Sequence, residues 1–142
     1  MLRLPTNRVL TIALSVALAL MGAFAEPAAA NAPLAITFSE VFVDVNPCTG
    51  LDQTITVTGT LYVHDNDGAL VITADRTITT SAGFEGRGTS TRVDNAEVSR
   101  ISLRDMLVSD SGARMRAGFI LVLDLATGNV KVFHGAVTCV QP

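Results

Sequence analysis

The sequence predicts an all-β single domain, an antiparallel meander that forms a small closed or nearly closed β-barrel. Three observations predict it. From about residue 34 onward, apolar and polar residues alternate with a period of two almost everywhere. Short turns rich in Gly, Asn and Asp interrupt the alternation, so consecutive strands fold back on each other. The two cysteines, Cys48 and Cys139, stand near opposite ends of the patterned region. Tying those ends favours closure, which removes exposed sheet edges. A two-sheet β-sandwich is the alternative.

The first 30 residues read differently. Arg3 and Arg8 precede an uncharged apolar run from Val9 to about Met21, followed by the small-residue stretch "GAFAEPAAANAP". A basic n-region, a short apolar h-region and an A-x-A site describe a cleaved secretory signal peptide over residues 1–30. Cleavage is expected after Ala30, with Ala25 as the second site. The run is short for a membrane span, which needs about 20 apolar residues, and no cysteine lies near the site to carry a lipid. The expectation is a secreted, extracellular protein without a stable membrane anchor, its single domain spanning residues 31–142.

The strands follow in order. The first is expected at Leu34–Val45. In "TITVTGTLYVHD" (54–65), Ile55, Val57, Leu61 and Val63 share one face and the threonines, Tyr62 and His64 the other. "NDG" (66–68) turns the chain. In "ALVITADRTIT" (69–79), Leu70, Ile72, Ala74 and Ile78 share a face. "SAGFEGRG" (81–88), with its three glycines, reads as a loop or distorted strand, followed by a weaker strand near Thr89–Val93. "AEVSRISLRDMLV" (96–108) aligns Ile101, Leu103 and Leu107. "ARMRAGFILVLDL" (113–125) aligns Met115, Phe119, Leu121, Leu123 and Leu125 against Arg114, Arg116 and Asp124. "TGN" (127–129) leads into "VKVFHGAVTCV" (130–140), where His134 is expected on the face of Val130, Val132 and Ala136.

In an oxidising compartment an even cysteine pair predicts a disulfide. Cys48–Cys139 would enclose 90 residues and tie the first strand to the last. The chain-entropy model values such a closure at about 4–5 kcal/mol, less whatever strain removes. Two cysteines so far apart, without clustered histidines, match no metal-ligand spacing, and no metal or cofactor is expected. Without residues 1–30 the chain keeps 8 of 10 basic residues and 12 of 13 acids, a net charge of 8 − 12 = −4. That overall balance points to no nucleic-acid partner.

"NPCTG" (46–50), "TVTGTLYV" (56–63), a glycine-punctuated middle and a cysteine close to the C-terminus resemble a group of small, uncharacterised secreted proteins of actinobacteria. The resemblance spans residues from about 44 to 140, and "NPCTG" is its most specific part. The chain departs from the histidine-rich central strands of that group in having only His64 and His134. The resemblance implies a secreted β-rich domain with a disulfide, and no reaction.

Few residues invite chemistry. "HDNDG" (64–68) opens like a calcium loop, but the twelfth position, where that loop needs a bidentate glutamate, is Ala74; it reads as a polar hairpin turn. His64 and His134 have no activated nucleophile in view, and Ser90, Ser99, Ser102 and Ser109 stand in no nucleophile-elbow context. The Thr54–Thr60 ladder reads as a solvated strand face, and Tyr62 alone makes no sugar-stacking platform. No catalytic residue is expected. The irregularity is Arg76, on the face of Ile72, Ala74 and Ile78, and Asp105, on the face of Ile101, Leu103 and Leu107. Charges at apolar positions are rarely left unpaired. They pair inside, line a polar ligand cavity, or are carried into water by a bulge. The expected function is non-enzymatic binding of a small ligand or a cell-envelope partner. A barrel isomerase or cyclase with a polar cavity, and a structural or surface-interaction protein, are the alternatives.

Overall fold

A computed structural model describes residues 33–142; the expected signal peptide, residues 1–30, lies outside the described residues. Seven strands follow one another: β1 (Leu34–Val45), β2 (Asp52–Asn66), β3 (Ala69–Thr80), β4 (Phe84–Asp94), β5 (Val98–Ser109), β6 (Arg114–Asp124) and β7 (Val130–Val140). They form one antiparallel sheet in sequence order, so the described residues make a meander rather than two separate sheets. The sheet is open, because no ladder joins β1 to β7.

It is also curled. Six steps of about 4.8 Å would hold the first and last strands of a flat seven-stranded sheet nearly 30 Å apart. Yet Cys48, in the connection leaving β1, is bonded to Cys139 on β7 with Cα atoms 5.1 Å apart. At that end the sheet has come round upon itself. Its inner face collects Val57, Ile78, Phe84, Leu107, Ala113 and Met115 into one buried cluster, with Phe38, Phe42, Ile55 and Cys48 packed against it. Farther along the strands Ile72, Ala74, Ile101, Leu103, Phe119 and Leu121 are buried as well. Burying each large apolar side chain contributes about 1.5–3 kcal/mol before entropy is subtracted.

The turns follow their chemistry. The β2–β3 hairpin closes through Asp67 and Gly68, with φ of 51° and 83°, the left-handed pair that suits a two-residue hairpin loop. Asp65 Oδ1 accepts a hydrogen bond from Gly68 N at 3.1 Å, so "HDNDG" serves the turn.

Two local expectations are corrected. "SAGFEGRG" is only partly a loop, since β4 runs unbroken from Phe84 to Asp94. Gly86 and Gly88 face inward where β5 presses close, and a Cβ at Gly86 would overlap the Met106 carbonyl and crowd Leu107 Cα. Glycine in a strand here marks close approach of a neighbour. On β7 a register shift lies where β6 pairs across Val122 and Leu123. It pairs Val130 with inward-facing Leu123 and moves it off the face of Val132 and His134.

Candidate functional site

The inward row at the middle of the sheet is fixed by register. Gly59 pairs with Arg76, Arg76 with Gly88, and Gly88 with Asp105. No register shift occurs along β2 to β5, so Arg76 and Asp105 both point inward, as their sequence parity predicts. β3 and β5 are separated by β4, roughly 10 Å from backbone to backbone. The charged groups meet because the residue between them has no side chain. Arg76 Nη2 donates to Asp105 Oδ1, directly over Gly88, where a methyl group would overlap the carboxylate. The side chains are 3% and 12% exposed.

This row lies between the two apolar zones of the inner face, and its electrostatics follow from that. Burial pushes Asp105 up to about 6, against the opposing pull of Arg76. Burial lowers Arg76, while Asp105 and Glu40 support its charge. Glu40, facing inward on β1, is raised by burial and held down by Arg76. Two carboxylates therefore share one guanidinium, whose Nε makes no hydrogen bond among the described residues. Toward the far end of the inner face, Arg92 and Asp94 form a second pair, at 2.9 Å from Nε and 2.7 Å from Nη2.

The loop that carries Cys48 is organised by a residue the sequence reading passed over. Asn46 is 1% exposed. Its Oδ1 accepts from Cys48 N at 2.7 Å, its Nδ2 donates to buried Gln53 Oε1 at 3.1 Å, and its carbonyl accepts from Gly50 N at 2.8 Å. "NPCTG" is thus a built turn that presents the cysteine, and the expected Cys48–Cys139 bond is formed.

Outside, the face opposite the core carries arginines. Arg87 on β4, Arg100 and Arg104 on β5, and Arg114 and Arg116 on β6 are all exposed, and all have the outward parity of their strands. Arg104 stands in the outward row Asp75, Thr89, Arg104, Gly118, Ala136. Gly118 and Ala136 leave a hollow beside it. Three grooves meet at Arg104. One of about 680 Å³ runs past Asp75, Thr77, Arg87 and Thr89. Another of about 450 Å³ runs past Arg100, Ser102, Gly118 and His134. The third, about 350 Å³, runs past Arg116, Gly118, His134 and Ala136. The first also borders Arg76 and Asp105, but with so little side chain exposed Arg76 meets it essentially as part of the strand wall.

His64 and His134 both face outward, on β2 and β7, and the structure does not bring them together. The Thr56 and Thr58 positions continue sideways into Thr79 and Thr77 as an outer threonine face. The arginine face was missed because net charge conceals local clustering. The available signal was the parity of Arg100, Arg104, Arg114 and Arg116, all at even positions in strands whose odd positions carry Ile101, Leu103, Leu107, Met115 and Phe119. Among the described residues no helix is long and apolar enough to cross a membrane, and no group of three or more potential ligands is placed to hold a metal. No family model, curated protein or solved structure matches the chain.

Proposed function

We propose that this chain is a secreted, disulfide-stapled binding domain that holds an anionic ligand, a carboxylate- or phosphate-bearing envelope polymer, on the outer face around Arg104. One observation carries the reading: three grooves converge on Arg104, flanked by Arg87, Arg100 and Arg116, in a protein whose overall charge is negative. Guanidinium groups suit such acids because they donate paired hydrogen bonds in a plane. The signal-peptide-like pattern of residues 1–30, the disulfide and the resemblance to secreted actinobacterial proteins support export, and the curled sheet supports a nearly closed barrel as the scaffold. Arg76 and Asp105 hold the wall behind the groove.

Titration with polygalacturonate, a polymer of carboxylates, against neutral dextran tests the reading. Saturable, salt-sensitive binding of the acid alone is expected, weakened roughly tenfold or more by Arg104→Ala, the scale of a lost charge-assisted hydrogen bond. Gly118→Val fills the hollow where an added Cβ meets nothing closer than 3.5 Å, so it should block binding in a folded protein. Equal binding of dextran, or binding indifferent to both variants, would refute the proposal.

The enzyme alternative rests on the buried Asp105, whose pKa near 6 suits proton transfer. Its commitment to Arg76 makes it the weaker reading. Loss of a turnover in Asp105→Asn, with anion binding intact, would favour it.

A further inference from the structure

His134 is exposed on β7, the last strand of the sheet. It borders two of the three grooves that meet at Arg104, those of about 450 Å³ and about 350 Å³. Register explains the placement. On the outer face Arg104 pairs with Gly118 and Gly118 with Ala136, and His134 lies two residues from Ala136 along β7. Gly118 and Ala136 keep the floor between them low, so the Arg104 guanidinium and the His134 imidazole border the same space.

The charges around His134 in these grooves have one sign. β5 contributes Arg100 and Arg104, and β6 contributes Arg116. β4 brings only hydroxyl groups, from Thr89, Ser90 and Thr91. On β7 itself Lys131 is engaged with Asp124 at 2.9 Å. The one acid that borders either groove is Asp105, and its carboxylate is turned to the inner face and bonded to Arg76. Histidine is the side chain whose charge ordinarily changes between pH 5 and 8. An imidazolium here would stand among three guanidiniums with no acid to offset them. A bound acid removes that penalty, so proton and ligand favour each other, and linkage makes the gain the same factor for both.

We propose, resting on the anion reading of this face, that His134 is the acid-dependent arm of the site. Protonated, it becomes a further cation on the bound acid. The domain then captures its ligand more tightly in acidified surroundings and loosens it toward neutral pH and above. Arg104 remains the anchor throughout, since a guanidinium keeps its proton. His64, on β2 and bordering none of the three grooves, takes no part.

Polygalacturonate is the probe, because carboxylates that titrate near the usual value of about 4 stay ionised across the whole range. Measured by calorimetry at constant ionic strength, its affinity should rise about tenfold from about pH 8 to about pH 5.5, the scale of one added charge-assisted hydrogen bond. His134→Gln should flatten that profile. His134→Lys, whose charge does not titrate in this range, should flatten it too while bringing the affinity at pH 8 close to the parent's value in acid. In the unaltered protein, adding a galacturonate oligomer should raise the NMR titration midpoint of the His134 ring protons by about one pH unit, the same factor seen from the proton's side. The midpoint of His64 should stay in place. Asp105 also titrates near pH 6, and Asp105→Asn should keep the profile. A profile lost in Asp105→Asn and kept in His134→Gln would give the effect to the buried pair and overturn the proposal. So would two histidine midpoints that shift together, which marks a general effect of polymer charge. Tight binding with a flat profile in the parent would overturn the role of His134 alone, whereas no binding at any pH would overturn the anion reading with it.

Discussion

Consider removing one member of the buried pair at pH 7. In Asp105→Leu the guanidinium stays inside, with Nε already unpartnered and only Glu40 left to support its charge. Arginine cannot shed its proton, so the cost is that of a stranded buried charge, about 3–5 kcal/mol, with Glu40 drawing it toward the lower figure. Arg76→Met leaves Asp105, which escapes by taking up a proton. Its pKa is near 6 with Arg76 present and rises further without it, so neutralisation near pH 7 is inexpensive. Arg76→Met should therefore cost roughly 1–2 kcal/mol, less than Asp105→Leu. The double variant, apolar on both sides of Gly88, should come within about 1 kcal/mol of the parent, as buried pairs replaced together often do. Urea unfolding of the four proteins with the disulfide intact measures the cycle. Single variants that each cost under about 0.5 kcal/mol, or costs that simply add in the double, would refute the reasoning and place both groups in solvent.

Other outcomes follow from the same geometry. Gly88→Ala drives a methyl into the Asp105 carboxylate and should cost several times the few tenths expected at an ordinary strand site, with much of that loss relieved in an Arg76→Met/Asp105→Ala background; urea midpoints compare the two. Burial raises the folded pKa of Asp105 to about 6, against an ordinary aspartate value of 3.8, so the folded state binds more protons between those values. Stability should then fall, by up to about 3 kcal/mol, as pH rises from 4 to 6, and a pH series on Asp105→Asn should lose that slope. Reduction of Cys48–Cys139 should lower stability by about 2–5 kcal/mol, and alkylation should label neither thiol until a reductant is added. The stable double variant Arg76→Met/Asp105→Leu is expected to show more than one set of backbone amide resonances for β3 to β5; a single sharp set would remove any register role for the pair.

Much of this fold was legible because a strand repeats every two residues and the turns are chemically explicit. The faces of β2, β3, β5 and β6 follow directly from Val57, Ile72, Leu103 and Phe119, and the inward placement of Arg76 and Asp105 follows from the same parity. What failed was context. Gly86 and Gly88 look like loop residues until β5 is known to press on them, because a glycine's use as empty space depends on its neighbour across the sheet. Val130 changed face through a shift that no local pattern announces. Asn46 reads as a turn residue, and its burial depends on Gln53 and the cysteine loop closing over it. The arginine face needed three strands laid side by side before Arg104 became the meeting point of grooves.

The charged row also bears on why this sheet keeps one alignment. A one-residue slip would turn every inward side chain outward and is excluded by burial alone. A two-residue slip keeps faces intact, and the repeated Thr–Val–Thr pattern of β2 and the Thr–Ile–Thr of β3 oppose it weakly. The row Gly59, Arg76, Gly88, Asp105 tolerates no such slip. Moving β4 and β5 together by two residues would set Ser90 or Gly86 opposite Arg76. The residue beyond it on β5 then becomes Leu103 or Leu107, and in both cases the guanidinium loses its carboxylate. Either slip strands a buried charge at a cost of several kcal/mol, more than any one threonine–valine pair contributes, roughly 0.2–1 kcal/mol. A pair that adds little to net stability thus discriminates strongly between alignments, and its price is the loss of two large side chains at Gly59 and Gly88 from the inner face.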